Sequence, residues 1–125
     1  MHERLSRPDR PTAVLALWRD WSEAVGDVAG SLKLRLGRDL EMVGWCTEQQ
    51  YEPNYADHFA DGCVPPTIVW NVSQMAEIAI ARLEAQRRQP GLPPALMQVD
   101  VRLRQGSHDY LAGLTEADPP VGKSD

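Results

Sequence analysis

Residues 67–89 read TIVWNVSQMAEIAIARLEAQRRQ, the most apolar stretch of the chain, and Pro90-Gly91 end it. Asn71 with Gln74 three residues on forms a capping box, and Arg87 and Arg88 suit the negative end of a helix. Ile68, Val72, Met75, Ala76, Ala79, Ile80 and Leu83 make a wide apolar arc. The polar side is narrow: Ser73, Gln74, Glu77 and Glu84. Such a helix is expected either as the buried centre of a domain or packed on both the core and a partner subunit. Thr67 to Trp70 are β-branched or aromatic, so they read alternatively as a short strand leading into the helix.

The chain has 125 residues, 42% apolar and 25% charged, which is enough for one hydrophobic core without disulfide or metal. Residues 1–11 (MHERLSRPDRP) are polar with two prolines and read as a disordered arm. Residues 12–115 read as a single globular domain, and 116–125 as a polar tail. Thr12 can cap a helix on which Val14, Trp18, Trp21, Val25, Val28 and Leu32 recur at steps of 4, 3, 4, 3 and 4. That stripe is a core face or a short intermolecular seam. Ser22, Gly26 and Gly30 stand beside it, which implies close approach of another backbone or a helix end near Gly30.

Leu32, Leu34 and Leu36 then alternate with charged residues, Gly37-Arg38-Asp39 turns the chain, and 40–46 returns as a hairpin strand. A helix with Leu32, Leu36, Leu40 and Val43 on one face is the competing reading. Pro53 suits the start of a short helix closed by Gly62. Met97, Val99, Val101 and Leu103 alternate with polar residues in the clearest strand, and 109–114 can pair back after Gly106-Ser107. Together these elements predict a two-layer α+β fold, helices packed on a small antiparallel sheet. An all-α bundle with a C-terminal hairpin is the alternative.

The net charge of −5 argues against a nucleic-acid partner, since phosphate contacts need a basic face. No run of about 18 apolar residues exists, so no membrane span is expected. The N-terminus does not read as a secretory signal, and two cysteines fit free thiols in a reducing cytoplasm. The charge is uneven. Residues 39–62 hold six acids, no Lys or Arg, and half of the eight aromatics. Interleaved as Trp45, Glu48, Tyr51, Glu52, Tyr55, Asp57, Phe59 and Asp61, they read as a surface for docking another protein. Equally, the acids can face water while the aromatics turn into the core. The expected function is a non-enzymatic interaction module of adaptor, assembly- or secretion-chaperone, or inhibitor type. A homodimer is expected through the Trp18/Trp21 stripe or the 68–83 helix.

Enzymatic signals are few, and no cofactor is expected. There is no phosphate loop, dinucleotide fingerprint, nucleophile elbow or complete metal signature. Cys46, His58 and Cys63 have the spacing C-x11-H-x4-C, with His108 distant. Structural zinc usually wants a tight C-x2-4-C knuckle, which is missing, so no metal is expected. A Cys63–His58 nucleophilic pair gains from the helix that follows and loses from the acids before it. The stretch Asp61-Gly-Cys-Val-Pro-Pro-Thr67 ahead of an apolar helix resembles the lead-in to the central helix of hot-dog-fold acyl-thioester enzymes. The alternative function is a small enzyme or metal-binding protein using Cys46, His58 and Cys63, with His58 as ligand or base, and the resemblance implies an acyl-thioester-like substrate for it. The chain departs from that family in lacking its Asp-x4-His arrangement, and only 36 residues follow Gln89.

Overall fold

The computed structural model describes residues 1–59 and 62–116. Strands β1 (Ala13–Leu15), β2 (Glu41–Thr47), β3 (Thr67–Trp70) and β4 (Val101–Arg104) form one sheet in the order β1-β2-β3-β4. β1 and β2 pair in parallel, as do β2 and β3, whereas β3 and β4 are antiparallel. The fold is therefore α+β with a mixed sheet, not the antiparallel sheet expected. Parallel neighbours need crossover connections. Helix α2 (Arg19–Ser31) supplies the first. A helical run supplies the second: α3 (Glu48–Gln50), a π-helical turn (Tyr51–Tyr55) and α4 (Ala56–His58). Helices α1 (His2–Leu5), α5 (Val72–Arg88) and α6 (His108–Glu116) complete the described elements.

Several local readings change. The helix expected from Thr12 begins at Arg19, because Ala13–Leu15 pair with Glu41–Val43. The hairpin expected over 31–46 keeps only its second strand. Leu34 N–H bonds Ala29 O at 2.9 Å, and the Asp39 carboxylate accepts from Arg35 N–H at 2.8 Å. These bonds fold 32–39 into a tight loop, which buries Leu36 and Leu40 in the core. Residues 109–114, read as a strand, lie in α6. Within 1–11, Leu5 of α1 is buried in the core. Only Glu116 of the 116–125 tail falls among the described residues.

Register places the core on one face of the sheet. Val14, Met42, Gly44, Cys46, Thr67 and Val69 share that face, since paired residues point the same way. Val25 and Ala29 of α2, with Tyr51, Tyr55 and Phe59 of the second crossover, cover it. Gly26 explains the glycine step on α2: a methyl there would stand 3.0 Å from the Phe59 ring.

Where β3 has not yet begun, α6 finishes the β2 ladder. Met42 N–H donates to the Tyr110 hydroxyl at 2.8 Å, and that hydroxyl donates to Met42 O at 3.1 Å. Tyr110→Phe leaves both backbone groups buried and unpaired. We expect a loss of about 2–3 kcal/mol, read as a lower urea midpoint at unchanged slope. An unchanged midpoint would show that the hydroxyl does not complete the ladder.

Candidate docking surface

The opposite sheet face is apolar and open. It carries Leu15 of β1, Val43 and Trp45 of β2, Ile68 and Trp70 of β3, and Val101 and Leu103 of β4. Leu15, Val101 and Leu103 are each more than half exposed, and the remaining four are only partly covered. On the core face Met42, Cys46, Thr67 and Val69 are buried, whereas β4 turns the exposed Arg102 and Arg104 to that side.

Helix α5 is built as its sequence predicts. Asn71 caps it, its side-chain oxygen accepting from Gln74 N–H at 3.0 Å. Its environment is not as predicted. No residue of α5 is buried, and Ile80 and Leu83 are 57% and 66% exposed. The helix packs extensively against no other described element. Topology explains the correction. Asn71 alone separates β3 from α5, so the helix runs on from the strand end. The chain then returns through residues 89–100 to lay β4 beside β3. The Arg82 guanidinium donates to the Pro93 carbonyl and ties the return to the helix. Helix and return form an arm whose apolar residues, Leu96 and Met97 included, face outward.

The four tryptophans gather beside this surface. Trp18, Trp45 and Trp70 line an open 440 Å³ cavity with Asp20 and Gln50. Trp18 and Trp21 line an adjoining 390 Å³ groove with Leu15 and Leu17. Trp18 and Trp21 are 62% and 59% exposed. The Trp70 indole nitrogen is enclosed and has no hydrogen-bond partner among the described residues.

Trp18 also sits at φ 100, ψ 146, a conformation that costs a side-chain-bearing residue about 1–3 kcal/mol. An exposed tryptophan held at such a cost contributes little to the stability of its own fold. Trp18→Gly is therefore expected to leave thermal stability level or raise it by up to about 1 kcal/mol. A fall of more than about 2 kcal/mol would show that Trp18 is a core residue.

The acidic-aromatic segment divides between core and solvent. Tyr51, Tyr55 and Phe59 recur every four residues along the second crossover and turn into the core. They are thereby removed from the expected docking surface. Glu52 and Asp57 point outward, and Glu48 is partly covered. Glu48 and Glu52 stand 3.8 and 3.6 Å from Arg102 and Arg104 of β4, and the Arg104 guanidinium lies 4.9 Å from the Tyr51 ring centre. Asp61 lies outside the described residues. Trp45 is the one expected docking residue that the open face contains.

The chemical candidates also separate. Cys63 and His58 line a 520 Å³ cavity with Asp27, Lys33 and Arg35, and His58 Nε2 is 3.0 Å from Asp27 Oδ1. Cys46 lines the tryptophan cavity instead. No three of His, Cys, Asp and Glu converge as metal ligands among the described residues. Both thiols are free and buried.

Burial pushes the Cys46 thiol up to about 11, against a smaller lowering by Arg19. Burial likewise raises the Tyr55 hydroxyl to about 12, against the hydrogen bond from Thr67. Both folded-state values exceed the unfolded ones of 9.0 and 10.0. Their stabilisation is complete below pH 9 and is lost as pH rises through 11 and 12. The unfolding free energy, read from the urea midpoint and slope, should fall across pH 9–12, at a limiting rate near 1.4 kcal/mol per pH unit for each group. A flat midpoint across that range would contradict the burial of these two groups.

The chain matches none of the protein-family models, curated proteins or solved structures with which it was compared. Among the described residues, no helix is long and apolar enough to cross a membrane. The surface's own residues carry the functional reading.

Proposed function

We propose that the protein is an interaction module that docks another protein chain on its open apolar sheet face and projecting arm. One observation carries this reading. The longest described helix, α5, carries Val72, Met75, Ile80 and Leu83 and contributes no buried residue. Large apolar side chains exposed contiguously mark recognition surfaces, because their solvation cost falls only when a partner covers them. The exposed tryptophans add rigid aromatic area of the kind that dominates binding energy. This differs in place from an acidic-aromatic surface over 45–62. Glu48 and Glu52 of that segment pair instead with Arg102 and Arg104 at the β4 edge.

The test compares association with intrinsic stability. Ile80→Glu with Leu83→Glu should abolish assembly, with like or unlike chains, yet leave the melting temperature of dilute protein within about 2 °C. A large drop in dilute stability would place these residues in a core and refute the docking role.

A second reading rests on His58, Asp27 and Cys63 sharing one cavity. A catalytic thiol there would label rapidly with iodoacetamide at neutral pH in the folded protein, and Cys63→Ala would remove that labelling. The docking reading expects both thiols to label slowly until the protein unfolds.

A further inference from the structure

We propose that the occupant of this surface is a second copy of the same chain, with α5 of each copy seated on the open sheet face of the other. The inference rests on the docking reading above and adds the partner and the geometry.

Area supports it first. A compact monomer of 14.0 kDa exposes about 6,700 Å². This chain exposes 8871 Å². The surplus is about 2,200 Å². It stays near 800 Å² when the undescribed residues are removed from both figures at full unfolded-chain area. A standard interface takes about 800 Å² from each partner. The chain therefore carries one interface's worth of surface in excess.

Shape supports it next. One chain offers both an uncovered apolar helix and an uncovered apolar sheet face, the two halves of a helix-on-sheet layer. The 17 residues of α5 span about 25 Å. The 7 residues of β2, the longest strand, span about 23 Å. Helix α5 thus matches β2 in length and overhangs the four-residue β3 and β4, which span about 13 Å. A two-fold arrangement satisfies both surfaces of both copies and closes, leaving no apolar surface to propagate a fibre.

Charge agrees. Helix α5 carries three arginines against two glutamates, a net of +1 in a chain whose total is −5. Asp100 in the return brings the whole arm to zero, so it meets the body of the other copy, at −5, without repulsion.

The geometry dictates a complementation test by light scattering, at about 100 µM, where weak dimers are still populated. The helix variant is Ile80→Glu with Leu83→Glu, and the sheet variant is Val101→Glu with Leu103→Glu. All four positions are exposed in one chain. Circular dichroism of each variant should overlay the wild type. Wild type should run at twice 14.0 kDa and each variant alone at 14.0 kDa. Each lesion should weaken pairing at least about 100-fold, since it sets charges in an apolar contact.

An equal mixture of the two variants should recover dimer. The mixed pair keeps one intact seat, the sheet variant's helix on the helix variant's sheet. A wild type that stays monomeric overturns the second-copy proposal and leaves docking of another protein to its own test. A dimer that survives both lesions places the interface elsewhere and overturns it too. Monomeric variants that fail to complement indicate helix-on-helix or β4-edge pairing, and overturn the reciprocal seat.

Discussion

Gly44→Ala should destabilise the protein by about 3 kcal/mol, near the upper end for overpacking a core. Gly44 lies on the core face of β2, directly under Tyr55. A methyl there overlaps the Tyr55 hydroxyl oxygen and stands 3.1 Å from Tyr55 Cζ and 3.2 Å from Thr67 Oγ1. Neither neighbour can yield. Tyr55 and Thr67 are both 0% exposed. The Tyr55 and Thr67 oxygens are 3.2 Å apart, and Thr67 is also tied to Pro65 O at 2.8 Å. For a chain of this size the melting temperature should fall by roughly 12 °C. The cause can be isolated. Tyr55→Phe removes the overlapping oxygen, so Gly44→Ala should cost at least about 1 kcal/mol less in that background. Equal costs in the two backgrounds would show that the hydroxyl is not the obstacle.

Gly37→Ala should be at least as costly, by a different route. Gly37 has φ 83, a region a side-chain-bearing residue enters only at about 1–2 kcal/mol. A methyl there also overlaps the Tyr110 carbonyl oxygen and stands 3.1 Å from Tyr110 C. That obstacle is backbone and has no rotamer to change. Relief requires α6 to move, which breaks the hydrogen bonds between Tyr110 and Met42. We expect about 3–4 kcal/mol from strain and displaced contacts together. Gly91→Ala, where nothing lies within 4 Å, is the control and should change stability by less than about 0.5 kcal/mol. A Gly37→Ala cost no larger than the control would contradict the placement of α6.

Both glycines show where sequence reasoning stops. Gly37 reads as a turn residue and Gly44 as an interior position of the returning strand, yet each is required by a residue distant in the chain, Tyr110 and Tyr55 respectively. The α5 helix, its Asn71 cap and its stop at Pro90 were legible, because periodicity and capping are local. The strand reading of Thr67–Trp70 was legible from β-branching. Strand pairing was not. Ala13–Leu15 is only three residues long and was absorbed into the apolar period of the helix that follows.

The exposure of α5 is not legible in its sequence either. Its arc marks an apolar face and does not state what covers it. Aromatics at 51, 55 and 59 carry the helical spacing that turned them inward, and β-sheet alternation at Ile68, Trp70, Val101 and Leu103 marked the open face. Combining those two periods would have pointed to the open sheet face and not to the acidic segment.

On the docking reading, α5 is uncovered in a lone chain and becomes covered on association. Amide hydrogen exchange tests it directly, with residues 72–88 compared with β2 in dilute and in concentrated protein. We predict that α5 amides exchange at least about 1,000-fold faster than those of β2 when the chain is dilute. Their exchange should then slow as concentration rises. Protection of α5 equal to that of β2 in the dilute, monomeric chain would contradict the claim, because the helix would then belong to the core of a single copy.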